Sequence, residues 1–218
     1  MTTFAILLGG TIAATARLRW QVQGARVIAA DSGMAHAAVL GLTPELWIGD
    51  FDSAGLALIR QYAAVPRQDF PPEKDKTDGE LAVAEAMARG ALSLVLVGGL
   101  GGETGHTLGL LGLALRLARE GMAVLVSSGI EEARPLLPGN ALIDVPPDSL
   151  FGIVPFADLS GLDLANVKWP LHQRDVPLGS SLTLSNVAHG PVPVGLRTGY
   201  GMAILTPAPE ARSPAGQS

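Results

Sequence analysis

Two short runs concentrate the reactive side chains of this chain: Gly49-Asp50-Phe51-Asp52-Ser53 and Lys74-Asp75-Lys76-Thr77-Asp78. Each sets two carboxylates a short step apart, and the second adds two ammonium groups. That inventory can hold Mg²⁺ on a polyphosphate. Mg²⁺ takes oxygen ligands and usually shares itself among one or two carboxylates, waters and substrate phosphates, while lysine acts as a point charge on phosphate oxygens. Asp, Ser and Gly also favour turns for purely local reasons. Either run alone therefore reads equally as a turn, and it is the two together, in an α/β pattern, that point to a metal–polyphosphate site.

The elements around these runs alternate. Thr3 to Leu8 reads as a buried strand ended by Gly9-Gly10, and a short helix follows over about Ala13 to Trp20. Arg26 to Ala30 is a second strand, ending at Asp31-Ser32-Gly33, and Met34 to Leu40 is helical. Leu46 to Ile48 runs as a strand into the Gly49 motif, and Ala54 to Tyr62 is a helix. A looser stretch with Pro66, Pro71 and Pro72 leads to Lys74. Asp78 to Arg89 is a helix opened by a capping box, Thr77 with Glu80, and closed at Gly90. Leu92 to Val97 is a continuous apolar run, as in a parallel strand buried on both faces. A turn through Gly98, Gly99, Gly101 and Gly102 precedes a long helix over Gly105 to Glu120, and Ala123 to Ser127 is another strand. Alternating strand and helix implies a parallel sheet with helices on its faces. Asp31, Asp50 and the turn at Gly98 all follow strands, where such sheets bind ligands.

Composition narrows the function. With 218 residues, 48% of them hydrophobic, the chain can build real cores. A net charge of -5 argues against a nucleic-acid binder. There is no Cys, so disulfides, thiolate catalysis and Cys-ligated zinc are excluded. Only Lys74, Lys76 and Lys168 are lysines, a weak sign that a compact ammonium is wanted there. The longest apolar run, Leu108 to Ala118, is too short to span a bilayer and carries Arg116. The apolar N-terminus lacks a basic lead-in, so it reads as a strand rather than a signal peptide. The expected location is the cytoplasm, with no membrane partner.

After about Ile130 prolines become frequent and helical periodicity disappears. Short β-type pieces recur: Ala141 to Val145, Phe151 to Pro155, Ser181 to Ser185, Val192 to Leu196 and Met202 to Leu205. The expected fold class is an α/β N-terminal domain with a mostly parallel sheet, over 1–130, followed by a smaller all-β, sandwich- or barrel-like domain over 131–207. Residues 208–218 read as a disordered tail.

Asp31-Ser32-Gly33, Gly49 to Ser53, Lys74 to Asp78 with Glu80, and the turn at Gly98-Gly99 come in the order seen in thiamine pyrophosphokinases. Lys168-Trp169-Pro170-Leu171 and Ser185-Asn186 agree, so the chain resembles that family over most of its length. The two acidic runs are the specific part. The resemblance implies a homodimer that converts ATP and thiamine to AMP and thiamine diphosphate. It places the nucleotide on the α/β domain and thiamine at the subunit interface. It implies that Asp50, Asp52, Asp75 and Asp78 form the catalytic Mg²⁺ site, with Asp31, Lys74, Lys76, Thr77, Gly99, Gly101 and Gly102 around ATP and its phosphates. Trp169 either lies against the cationic thiazolium or fills a core. Ser185 and Asn186 either bond the aminopyrimidine or form a strand-end turn. Glu80 is favoured as a cap, and His106 as a packing or capping residue rather than a metal ligand.

The glycine turn departs from the family pattern Gly-Gly-x-Gly-Gly-Arg-x-Asp-His with a following Asn. The Arg position is Glu103, the Asp position Gly105 and the Asn position Leu110, while His106 is kept. A charge misplaced about 6 Å from a polyanion is worth roughly 3 kcal/mol at an effective dielectric near 20. A Glu103 facing ATP would therefore weaken binding unless it turns to solvent or holds another metal. Three readings follow. One is a working thiamine pyrophosphokinase with the Arg role met elsewhere, by Arg17 or Arg134. Another is a related diphosphokinase for another hydroxyalkyl compound such as a pterin. The third is a non-catalytic thiamine binder, against which the intact acidic runs argue.

Overall fold

The structure is a computed structural model that describes residues 2–51, 55–71 and 75–209. The chain forms two compact units, Met1–Pro135 and Leu136–Ser218.

In the first unit, strands β1 (Thr3–Leu7), β2 (Arg26–Ala30), β3 (Leu46–Gly49), β4 (Arg67–Asp69), β5 (Ser93–Val97) and β6 (Ala123–Ser127) pair in parallel; β7 (Glu132–Leu136) closes antiparallel on β6. The order is β7-β6-β5-β1-β2-β3-β4. Ile6 of β1 pairs with Ile28 of β2 on one side and Leu96 of β5 on the other. Such apolar strands bury both faces, which is why β1, β2 and β5 read as unbroken hydrophobic runs. Helices α1 (Ala16–Gln21), α2 (Ala35–Leu40), α3 (Leu56–Gln61), α4 (Asp78–Ala88) and α5 (Thr104–Arg119) connect them. One core gathers Leu7, Leu18, Met34, Trp47 and Val97. Sequence order runs outward from β1 in both directions, to β2-β3-β4 and to β5-β6. The topological switch point therefore lies between β1 and β5.

The second unit is all antiparallel. Strands β9 (Leu150–Pro155), β12 (Asn186–Val187) and β14 (Gly201–Thr206) pair as β12-β9-β14. Strands β8 (Gly139–Ile143), β10 (Leu159–Leu164), β11 (Leu171–Val176) and β13 (Val192–Leu196) form a separate sheet, β11-β10-β13-β8. Phe151, Ile153, Leu162, Val176 and Val192 share its core.

The α/β unit followed by a smaller β unit agrees with expectation, and β2 and β6 begin and end on the expected residues. Several details differ. The stretch after Pro66 contains the edge strand β4. Strands β10 and β11 were not anticipated. Ser181 to Ser185 is a turn rather than a strand: Thr183 is buried and its hydroxyl donates to the Ile153 carbonyl, leaving Leu182 and Leu184 about half exposed. The tail expected from 208 lies, from 210 onward, outside the described residues. Among the described residues no helix is long and apolar enough to cross a membrane.

Candidate functional site

At the switch point β1 runs into Leu8-Gly9-Gly10 and β5 into Gly98-Gly99. These two turns touch backbone to backbone. A Cβ on Gly98, at φ +79°, would stand 2.6 Å from the Leu8 carbonyl oxygen. A Cβ on Gly10 would collide with the Gly98 carbonyl oxygen. Only glycine permits that approach. His36 of α2 fixes the first turn through Nε2, 2.9 Å from the Gly10 carbonyl oxygen. Above the turns opens a cleft of 1180 Å³ lined entirely by the first unit. A single small-molecule pocket usually takes roughly 300–1,000 Å³, so the cleft has room for a nucleotide and more.

One wall is acidic. Asp31 and Ser32 follow β2, Asp50 follows β3, and Asp75 to Glu80 lead into α4; all line the cleft. Thr77 caps α4, its hydroxyl accepting from Glu80 N at 3.2 Å while the Glu80 carboxylate accepts from Thr77 N at 3.2 Å. The expected capping box is thus present, and Glu80 serves the helix end. Asp31, Asp50, Asp75, Lys76, Thr77 and Asp78 are brought together as expected. Asp52 and Lys74 lie outside the described residues.

The opposite wall comes from the end of β5 and from α5. It carries Gly98, Gly99, Gly102, Gly105 and Gly109 with Leu110 and Leu113. Gly101, at φ +93°, shapes the turn beside Thr11 without lining the cleft. No side chain caps the N-terminus of α5, so its first amide groups suit an anion. Glu103 stands at the rim with its side chain 88% exposed, 3.9 Å from His106. His106 is itself 69% exposed and lines the cleft, rather than packing into the fold.

Neither arginine proposed to replace the family's turn arginine lines the cleft. Arg17 grips both oxygens of Glu132, and Arg134 donates to Glu132 at 3.1 Å. Glu132 is 2% exposed and also accepts from Gln21 at 2.6 Å. Burial pushes its carboxyl up. The hydrogen bond and charge of Arg17, the charge of Arg134 and the Gln21 amide outweigh that and hold it below the ordinary glutamate value. These arginines are spent inside the fold. Among the described residues, Lys76 and His106 supply the basic side chains of the cleft.

Trp169, Ser185 and Asn186 belong to the second unit. The Trp169 ring is 53% exposed and lies under the Lys168 ammonium at 4.5 Å. Asn186 is buried and spans the Trp169 backbone. Its Oδ1 accepts from Trp169 N at 3.0 Å, and its Nδ2 donates to Trp169 O at 2.9 Å. Ser185 sits at φ +62°. Asn186 thus fixes the exposed Trp169, a role its place at a strand end did not reveal. Also missed in the sequence were Gly10 and Ser32 as cleft-lining residues. The Gly9-Gly10 pair straight after the first strand was the available signal for Gly10, and the Asp31-Ser32-Gly33 run after the second was the signal for Ser32.

Comparison with known proteins agrees with this geometry. Residues 19–126, from α1 into β6, match the family model for the thiamin pyrophosphokinase catalytic domain. A thiamine pyrophosphokinase of Bacillus subtilis is 28% identical over 163 residues, covering 73% of this chain and 76% of that one. The crystal structure of Bacillus subtilis thiamine pyrophosphokinase superposes with a TM-score of 0.83 at 24% identity, covering 95% of this chain and 100% of that one. Thiamin pyrophosphokinase from Candida albicans superposes with a TM-score of 0.77 at 12% identity, covering 94% and 90%. With the matched segment carrying both the acidic strand ends and the glycine turn of the cleft, the chain belongs to the thiamine pyrophosphokinase family.

Proposed function

We propose that this chain is a thiamine diphosphokinase that transfers the β,γ-diphosphate of ATP to the hydroxyl of thiamine. The observation that carries the reading is the two-walled cleft at the switch point. Its acidic wall gathers Asp31, Asp50, Asp75 and Asp78 opposite a glycine turn and an uncapped helix N-terminus.

The donor set suits Mg²⁺, being carboxylate oxygen throughout. Among the described residues no group of three or more His, Cys, Asp or Glu closes on one point. Asp50, Asp52, Asp75 and Asp78 would hold it between them, one or two directly and the others through water, with phosphates making up the rest. Bound there, Mg²⁺ neutralises phosphate charge and polarises the β-phosphoryl group. The chain's own groups do the remainder. Lys76 and Lys74 offset triphosphate charge, and the turn amides at Gly99 and Gly102 with the first turn of α5 receive phosphate oxygens. The thiamine hydroxyl oxygen attacks the β-phosphorus, and the bond from that phosphorus to the oxygen bridging to the α-phosphate breaks. AMP leaves with that oxygen, and the hydroxyl proton passes to a carboxylate of the acidic wall. Trp169, held by Asn186, offers an indole face to the thiazolium, and Ser185 and Asn186 offer polar groups to the aminopyrimidine. Following the family, the acting unit is a homodimer and the reaction is cytoplasmic.

Glu103 lines the cleft, but its side chain is 88% exposed, so solvent and salt screen its charge and it opposes this reading only weakly. Gly105 and Leu110 favour a second one. Both line the cleft at positions where the family pattern carries Asp and Asn, which suits a diphosphokinase with a different hydroxyalkyl acceptor such as a pterin. The test is AMP release from MgATP with thiamine, with a hydroxymethylpterin, or with neither. AMP and thiamine diphosphate rising one to one is the expected result. AMP formed only with the pterin establishes the second reading, and no AMP with any acceptor overturns both.

A further inference from the structure

Trp47 stands in β3, just ahead of Gly49-Asp50-Phe51, and is 0% exposed. Its indole N–H donates to the backbone carbonyl oxygen of Asp31 at 2.8 Å. Its ring meets Phe51 edge to face, with centroids 4.9 Å apart and planes at 83°. Both partners are non-glycine residues in the left-handed region, Asp31 at φ +46° and Phe51 at φ +60°. Such residues hold that conformation only where their surroundings fix it. Asp31 and Asp50, the neighbour of Phe51, both line the cleft. The two strand ends also touch, since a Cβ on Gly49 would lie 3.3 Å from the Asp31 Cα.

Trp47 is itself braced. Its backbone N–H donates to Pro66 O at 2.9 Å, and the Tyr62 ring lies 6.5 Å from the indole. The Arg67 guanidinium sits 5.5 Å from the Phe51 ring. A core position needs only apolar volume, which Leu or Phe would supply. What tryptophan adds is one N–H donor, and it is spent on the carbonyl of the acidic residue whose backbone is strained.

We propose that Trp47 is a positioning residue for the reaction: it fixes Asp31 by hydrogen bond and Phe51 by ring edge, and so sets the two acidic strand ends at the cleft. The inference rests on the diphosphokinase reading above. It is tested by a cycle of Trp47→Phe, Asp31→Asn and the double variant. Trp47→Phe keeps an aromatic ring and removes the donor. The expected result is a fall of about tenfold in kcat and about tenfold in MgATP affinity, as for other supports of a phosphate or metal site. Melting temperature falls by several degrees, because the change leaves a cavity and an unpaired carbonyl, while thiamine KM changes little. In the Asp31→Asn background, Trp47→Phe changes either quantity by less than about twofold, because its effect is exerted through Asp31.

Effects that multiply in the double variant overturn the proposal. So does a Trp47→Phe enzyme of unchanged kcat and affinity. Should Trp47→Phe fail to fold, Trp20→Phe with Trp169→Phe leaves Trp47 as the sole indole of the three. Its emission is expected to shift as MgATP binds, and unchanged emission at saturating MgATP overturns the proposal. A wild type that binds MgATP yet makes no thiamine diphosphate removes the diphosphokinase reading, and the affinity cycle then judges Trp47. A wild type that binds no MgATP removes both.

Discussion

Two sets of carboxylates in the first unit are treated in opposite ways. Glu132 is sealed in the fold and answered on every side, by Arg17, Arg134 and Gln21. Asp31, Asp50, Asp75 and Asp78 line an open cleft in which Lys76 and His106 are the basic side chains among the described residues. The first arrangement uses charge to hold chain segments distant in sequence. The second gathers four carboxylates around one open cleft, an arrangement that favours a bound cation. The difference also says why arginine count is a poor guide to phosphate sites: Arg17 and Arg134, the two arginines considered for that role, are engaged by Glu132.

The sharpest way to break this comparison is Asp50→Asn. If the cleft carboxylates serve the reaction and not the fold, the rate of thiamine diphosphate formation falls by roughly 10²–10³, as when one electrostatic stabiliser is removed. Melting temperature should stay within a few degrees. Retained activity in Asp50→Asn would make the acidic wall a structural feature like Glu132.

Glu132→Gln should show the mirror image. It leaves two half-buried arginines facing a neutral group, at a cost of about 3 kcal/mol, the low end for breaking a buried pair because the arginines still reach water. Turnover per folded molecule should not change. The pH dependence follows from the same site. The folded carboxyl ionises below the ordinary glutamate value of about 4.3. As pH falls, the unfolded chain therefore takes up the proton first. The stability is fully present above the unfolded value and is lost as pH falls through the folded one. Melting temperature from pH 7 to pH 3 should drop more steeply in wild type than in Glu132→Gln. Parallel curves would count against Glu132 as the source.

The α/β unit was largely legible because its signals are physical and local. Buried parallel strands such as β5 are unbroken apolar runs, and Thr77 with Glu80 is a cap whose partners lie three residues apart. Two of the strands that escaped, β4 and β11, lack such signals. Strand β4 is three exposed residues recognisable only by pairing with β3, and β11 is mostly exposed and polar. Ser181 to Ser185 read as a β-type piece, whereas it forms a turn that buries Thr183, with its hydroxyl on the Ile153 carbonyl, and leaves Leu182 and Leu184 about half exposed. In the site, the acidic runs and the glycine turn announced themselves by composition. The bond from Trp47 to Asp31 and the bridging of Trp169 by Asn186 did not. Each joins residues 16 or 17 apart through backbone carbonyls, which no residue type specifies.

The smallest expected effect belongs to the largest departure from the family pattern. Placing Arg where the sequence has Glu103 reverses a charge at the cleft, and from sequence alone a Glu facing ATP would weaken binding. The side chain is 88% exposed and near His106, at the N-terminal end of α5. An exposed charge is screened within about 8 Å at physiological salt, and pairs at such exposure contribute under about 1 kcal/mol. Glu103→Arg should therefore lower the KM for MgATP by less than about fivefold, and the gain should shrink as salt is raised. Adding Gly105→Asp to it tests the same wall further, since that change puts a carboxylate on a surface now floored by backbone. A tenfold or larger gain from Glu103→Arg alone, persisting at high salt, would mean that position 103 does reach the phosphates. The glycine wall would then carry charge chemistry as the acidic wall does, and the separation of roles between them would fail.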